Sequence, residues 1–237
     1  MKTTPMLVAS FLTLLAACSL QAADPKPANR VVAILDVQTD DPVGYAIWLK
    51  RYNEIAKAKL GIDNYTRVYQ SYFDSRQAGY VRVVTTAANV AELMKNAQAL
   101  DADAAILENR EHLNHIRKRG ARVLYQTVRT DGPSPSGANN FNTLAVLTDE
   151  AAYVKAIDEL RSIFDTNGFK DAKITVMRVL AGRTDHSHRI TINLPSPERL
   201  AAWLDFVGTN PQAQTWITNS AKFRTVVANT TSREITR

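Results

Sequence analysis

Residues 66–85 read TRVYQSYFDSRQAGYVRVVT, and this stretch decides the fold class of the chain. In residues 66–73 and again in residues 80–85, successive side chains alternate between the two faces that a β-strand presents. Residues 74–79 between them are polar and end in glycine, which is typical of a hairpin turn. The stretch therefore predicts a β-hairpin.

Strands and helices are predicted on both sides of this hairpin. A β-branched run precedes it, followed by Pro42 in the first turn of an amphipathic helix that ends at Gly61. The predicted elements are strand 31–37, the helix after Pro42, the hairpin 66–85, helix 89–100, a less regular segment 108–120 and strand 121–129. Their order is β-α-β-β-α-β.

The same order then appears a second time. Residues 131–137 read DGPSPSG, the densest turn composition in the chain, and predict a linker. The elements after it are strand 142–147, helix 149–165, strands 173–181 and 188–194, a helix capped by Ser196, a short helix after Asn210, and strand 223–231. Corresponding elements are offset by about 107 positions, which indicates an internal duplication. We therefore predict a first unit over 29–130, a linker over 131–139 and a second unit over 140–237.

A β-α-β-β-α-β unit with right-handed crossovers places both helices on one face of its sheet, the ferredoxin-like arrangement. The other face is bare and needs a cover or a ligand. Two units on one chain can cover each other. We therefore expect an α+β protein in which two tandem ferredoxin-like units pack sheet to sheet.

This layout resembles the dimeric α+β barrel superfamily, in which two ferredoxin-like units enclose a cavity, so the resemblance implies a pseudo-dimeric α+β barrel. Members named for antibiotic-biosynthesis monooxygenases, EthD-like proteins and muconolactone isomerases hold small, often aromatic molecules. Tandem relatives, the chlorite dismutase and dye-decolourising peroxidase groups, bind haem through a histidine. The chain has no Gly-x-x-Asp-Gly peroxidase signature, so none of their residues is carried over and no cofactor is predicted.

The amino terminus has the pattern of a secretory signal. Lys2 precedes an apolar run and then small residues, which predicts a signal peptide over residues 1–22 and export to a bacterial envelope. Residues 15–18, LAAC, also resemble a lipobox, in which Cys18 would be lipidated and anchor the protein to the membrane. Plain cleavage and lipidation both stay open, and the localisation is therefore periplasm or envelope lipoprotein.

Composition limits the chemistry and the partners. Cys18 is the single cysteine, so a form cleaved after residue 22 can have neither a disulfide nor a thiol nucleophile. The formal net charge is +6, and in an exported protein this excess favours anionic lipid or cell-wall polymer over nucleic acid. We expect no nucleic-acid partner and no metal site.

The candidate site residues lie on the predicted hairpin strands. Arginines within a sheet can bind a carboxylate or phenolate, and neighbouring tyrosines can stack on a planar ligand. The candidate ligand-binding residues are Arg67, Tyr69, Arg82, Arg178 and Arg189. His188 is the candidate catalytic base.

Three interpretations of function stay open. In the first, the chain is an envelope protein that binds a small aromatic or anionic molecule between its sheets. In the second, it is an enzyme resembling cofactor-independent monooxygenases or isomerases. In the third, the sheets seal dry against each other and the role is structural.

Overall fold

The structure, a computed structural model, describes residues 30–73, 80–135, 139–182 and 184–236. The predicted signal peptide with Cys18 and the hairpin turn 74–79 lie outside these residues. The strands are β1 (Val31–Thr39), β2 (Thr66–Phe73), β3 (Tyr80–Ala87), β4 (Arg117–Asp131), β5 (Asn139–Leu147), β6 (Lys173–Ala181), β7 (His188–Leu194) and β8 (Arg224–Glu234). The helices are α1 (Pro42–Leu60), α2 (Val90–Asp101), α3 (Ala104–Ile116), α4 (Glu150–Thr166), α5 (Pro197–Thr209) and α6 (Pro211–Ser220).

The predicted α+β class and the twice-repeated strand order are confirmed. In the first half the strands lie in the order β2-β3-β1-β4, and in the second half in the order β8-β5-β7-β6, with every pairing antiparallel. Each half is therefore a ferredoxin-like sheet. The predicted unit boundaries, 29–130 and 140–237, stay predictions.

The two sheets join at their edges into one closed barrel. The second strand of each half pairs with the last strand of the other, so that β2 pairs with β8 and β4 pairs with β6. These two pairings, the seams between the halves, leave no unpaired sheet edge. The sheet faces without helices lie opposite each other across the barrel interior.

Local sequence signals explain where α1 begins and ends. The Asp41 side chain accepts a hydrogen bond from the Gly44 amide at 2.8 Å, and Pro42 occupies the first turn, where its missing N–H costs nothing. The helix ends at Gly61, whose φ of 67° is a left-handed conformation that glycine adopts without strain.

Two elements differ from the sequence-based expectation. The segment 108–120, expected to be less regular, begins inside a helix, α3. Asp103 caps the first turn of α3 by accepting from the Ala105 and Ile106 amides, and Ile106 and Leu113 are buried. Strand β4 runs beyond the predicted 121–129 at both ends, because β1 and β6 pair with it on either side.

The barrel wall separates two kinds of core. On the outward faces, apolar strand residues pack against the helices, around Tyr45 and Leu49 in the first half and around Tyr153 and Phe164 in the second. The interior contains only a small apolar cluster, and polar side chains occupy much of the remainder. Within the described residues, no helix has both the length and the apolar character needed to cross a bilayer.

Candidate functional site

The structure brings Tyr69, Arg82 and Arg189 together inside the barrel. Tyr69 lies opposite Arg82 in the β2–β3 ladder, and Arg189 projects inward from β7 in the other half. Arg82 and Arg189 are only 8% and 7% exposed. Their ligand-binding roles stay predictions, but they lie where a ligand between the sheets would contact them.

The other predicted site residues lie elsewhere. Arg67 is half exposed at the rim of the barrel, with Nη1 3.9 Å from a carboxylate oxygen of Glu234. Arg178 and His188 project outward, because each is one residue out of phase with the inward-facing positions of its strand. Both contact Glu150 on α4, at 3.3 Å from Arg178 Nη1 and 2.7 Å from His188 Nε2.

A cavity of about 160 Å³ lies in the interior beside the two buried arginines. Four basic side chains and no acidic one are found among its described lining residues, and the remaining polar lining consists of threonine and asparagine side chains and Tyr69. The basic residues are Arg30, Arg82, Lys173 and Arg189. Such a lining favours an anion, because guanidinium, hydroxyl and amide groups can all donate to it.

A second cavity, of about 590 Å³, opens on the other side of the same arginines. The two cavities share Ile34, Arg82 and Arg189 in their walls. The larger cavity adds apolar and aromatic surface from Tyr80 and Tyr125, together with the Asp36 and Asp185 carboxylates. One molecule could therefore place an anionic group at the arginines and an apolar body in the larger cavity.

The two buried guanidinium groups act on each other electrostatically. Burial lowers the pKa of Arg189, and the like charge of Arg82 lowers it further, while Tyr125 and Asp36 act in the opposite direction. Arg82 Nε donates to Asp36 Oδ1 at 3.2 Å, and Arg82 Nη1 donates to the Thr230 hydroxyl at 3.2 Å. Asp36 therefore acts electrostatically on both arginines.

Sequence analysis missed a hydrogen-bonded chain in the wall of the larger cavity. The Tyr125 hydroxyl lies 2.8 Å from His186 Nε2, and His186 Nδ1 lies 3.0 Å from Asp185 Oδ1. Burial raises the pKa of Tyr125, and the neighbouring Arg189 offsets part of this effect. The inward alternation of β4 could have placed Tyr125 in the interior, but His186 precedes β7 in a loop, where alternation predicts nothing.

The residues of the second half do not fit a histidine-ligated haem between helices and sheet. The cavity there measures about 220 Å³, which is smaller than a haem group. No histidine is among its described lining residues, and His188 is held by Glu150 and Ser187 instead. In the described part of the chain, no three His, Cys, Asp or Glu side chains are grouped as metal ligands would be.

Neither a protein-family model nor a curated protein matches the sequence. Solved structures do match the fold. A protein named as a monooxygenase from Fusobacterium nucleatum has a TM-score of 0.55 at 8% identity, covering 87% of this chain and 92% of that chain. An anthrone oxidase-like protein has a TM-score of 0.54 at 12% identity, covering 89% and 92%. A chlorite dismutase from Candidatus Nitrospira defluvii has a TM-score of 0.51 at 8% identity, covering 87% and 90%.

These similarities extend over nearly the whole of each matched chain, whereas the identities are too low to carry an activity. Together with the closed barrel and its paired four-stranded sheets, they confirm the architecture that the repeated strand order predicts. The chain has the dimeric α+β barrel fold, built from two ferredoxin-like halves of one polypeptide.

Proposed function

We propose that the barrel binds a small anionic, partly aromatic molecule, with the anionic group at Arg82 and Arg189. The observation that carries this proposal is the cavity inside the closed barrel, whose described lining has four basic residues and no acidic one. Burial and the like charge of Arg82 lower the pKa of Arg189, so this part of the interior holds positive charge in a poorly hydrated place. An anionic ligand would neutralise it.

The larger cavity supports an aromatic body for this ligand. Its wall combines the Tyr80 and Tyr125 rings with the aliphatic side chains of Ile34, Val123 and Leu144. Apolar and aromatic walls beside convergent polar groups are typical of small-molecule sites. The same polar cavities do not favour the structural interpretation, in which the two sheets would seal dry against each other.

Calorimetric titration with para-hydroxybenzoate tests the proposal, with para-hydroxybenzamide as the uncharged control. We expect the carboxylate to bind and Arg189→Met to weaken it by at least about tenfold, corresponding to about 1.4 kcal/mol. The melting temperature should stay unchanged or rise, because a buried charge is replaced by an apolar side chain. Arg178→Met, which removes the same charge from the outer face, should leave binding unchanged. Equal binding of acid and amide, or equal weakening by both variants, would refute the proposal.

A second candidate function is proton-transfer catalysis in the larger cavity, and the Tyr125–His186–Asp185 chain favours it. In an enzyme resembling cofactor-independent monooxygenases or isomerases, the first step removes a proton from a bound phenol or lactone. His186 can accept that proton through the Tyr125 hydroxyl, and the Asp185 carboxylate stabilises the resulting imidazolium. His188, the base predicted from the sequence, lies outside this cavity's lining.

Replacing each histidine separately distinguishes these assignments once a turnover assay exists. His186→Ala should reduce turnover while retaining the ligand, and His188→Ala should leave turnover intact. The reverse result would restore His188 as the base.

We also propose that the protein is exported and acts in the bacterial envelope, on the strength of the signal pattern in residues 1–22. Mass spectrometry of the mature amino terminus tests this. A diacylglycerol-modified Cys18 would establish the lipid anchor, a free terminus at Ala23 or Asp24 would establish plain cleavage, and an intact Met1 would refute export.

A further inference from the structure

A separate cavity of about 230 Å³ lies outside the barrel, between the sheet of the first half and its helices α1, α2 and α3. Four arginines and one acidic residue, Asp101, are among its described lining residues. The arginines are Arg110, Arg117, Arg119 and Arg122. None of the residues in this lining belongs to the two interior cavities described above.

A β-bulge places three of these arginines on one face of β4. Arg117 and Arg119 are two residues apart and share a face, whereas Arg122 would lie on the opposite face of a regular strand. In the β1–β4 pairing, Leu35 lies opposite Arg122 and Val37 lies opposite Arg119. An advance of two residues along β1 therefore matches three residues along β4, which is a β-bulge with one extra residue in β4. The extra residue brings Arg122 back to the helix-facing side.

The positive charge of this cluster is poorly compensated. Arg110 is paired with Asp101. Burial and the charges of Arg117, Arg110 and Arg122 lower the pKa of the Arg119 guanidinium, and Tyr45 acts in the opposite direction. These neighbouring like charges disfavour the cluster unless an anion is present.

One buried donor of the cluster is left without an acceptor within the part of the chain that the structure describes. The Nε atom of Arg117 is buried and has no hydrogen-bond acceptor among the described residues. Its Nη1 donates to the Tyr45 hydroxyl at 3.2 Å, so the guanidinium is held in a fixed position while one N–H remains unpaired. An unpaired buried donor costs free energy that a bound acceptor would recover.

Aromatic rings form the opposite wall. Trp48 stacks on Tyr52 with ring centroids 5.5 Å apart and planes at 30°, and Tyr45 and Tyr65 extend the row at 6.2 and 6.4 Å. The Arg117 guanidinium lies 5.9 Å from the centroids of both Tyr45 and Trp48. Aromatic and guanidinium planes of this kind stack on planar ligands.

We propose that this cavity is a second binding site, which takes a planar aromatic carboxylate of one or two rings. The carboxylate contacts Arg117, Arg119 and Arg122, and the rings lie against Trp48 and Tyr52. The volume of about 230 Å³ limits the ligand to this size.

Titration with naphthoate tests the site, with uncharged naphthamide as the comparison ligand and calorimetry and tryptophan fluorescence as readouts. We expect saturable naphthoate binding, weaker by at least about tenfold in the double variant Arg119→Gln/Arg122→Gln. The double variant Lys118→Gln/Arg51→Gln is the control. It removes the same number of positive charges from exposed residues outside the cavity lining, and it should bind naphthoate as tightly as the wild type does. Trp48→Phe should abolish most of the fluorescence response.

Four results would overturn the proposal: no saturable naphthoate binding to the wild type at millimolar concentration, unchanged binding in the arginine double variant, equal weakening in the control, or equal affinity for naphthamide. If the double variant fails to fold, the two single variants replace it with the same expected direction. Arg189→Met should not affect naphthoate binding at this site. If Arg189→Met alone abolishes naphthoate binding, then naphthoate binds in the barrel interior and not in this cavity. The two proposed sites can therefore be refuted separately.

Discussion

Arg189 and His188 are neighbours in β7, yet their side chains lie on opposite sides of the barrel wall. Arg189 faces the interior cavities, and His188 is buried on the outer side between Ser187 and Glu150, at 2.8 and 2.7 Å. The difference follows from the two-residue period of a strand. Candidate site residues chosen along a strand therefore include both interior and outer side chains, unless it is known which alternate residues of the strand face the interior.

We predict that His188 is structural. His188→Ala removes its hydrogen bonds to Ser187 and Glu150 and should lower the free energy of unfolding by about 1–2 kcal/mol. It should leave binding of para-hydroxybenzoate unchanged, since the side chain does not reach the interior. Chemical denaturation and calorimetry measure both quantities, and the exposed His115→Ala serves as the control. Full stability with loss of binding or turnover would show that His188 has the role predicted from the sequence.

The inward-facing residues could be predicted only in part. The alternating pattern of residues 66–85 put Tyr69 and Arg82 among the candidate residues of the hairpin strands, and the structure places them opposite each other. For the second half, the sequence did not show which alternate residues of β7 face the interior. Both faces of this strand are buried, so no exposed residue distinguishes the outer face. Arg178 and Arg189 therefore could not be told apart.

At the scale of single elements, Gly120 lies within the bulge of β4. A Cβ built on this residue would lie 3.2 Å from the Asp36 carbonyl oxygen, a backbone atom of the neighbouring strand. The two strands are thus in close approach where the register shifts.

We predict opposite effects for two glycine substitutions. Gly120→Ala should lower the free energy of unfolding by about 1 kcal/mol, because β1 must move to admit the methyl group. Gly208→Ala, in helix α5 with open space around its Cβ position, should raise it by about 0.5–1 kcal/mol. Urea denaturation of both variants measures this. If Gly120→Ala is as stable as wild type, the bulge does not require glycine.

The sequence predicted most elements well because their signals are local. Caps such as Asp41 and Ser196 and the two-residue period of the hairpins are present in short windows. Helix α3 was missed because its apolar stripe is short, and its burial against Leu100 and Tyr65 depends on tertiary contacts. The extra length of β4 likewise depends on its partners in the closed barrel.

At the scale of the whole molecule, the closed barrel rests on two seams between the halves. The β2–β8 seam pairs residues 69–73 with 231–234, and the β4–β6 seam pairs residues 124–131 with 174–181. The repeated strand order predicted two facing sheets but gave no register for these seams, because contacts between distant segments leave no short-range pattern.

We predict that seam amides are protected from hydrogen exchange to the same degree as amides in the middle of each sheet. Mass spectrometry or NMR of exchange in β2 and β8, compared with β1 and β3, measures this. Rapid exchange along β2 and β8 alone would show that the barrel opens at this seam in solution.

The central claim is that the closed barrel holds an anionic aromatic molecule at Arg82 and Arg189. A crystal structure of the protein with para-bromobenzoate tests it most directly, because anomalous scattering locates the bromine without reference to any prior structure. We expect bromine in the larger interior cavity and the carboxylate within hydrogen-bonding distance of both arginines. An empty interior at saturating ligand, or an anion bound only on the outer surface, would contradict it.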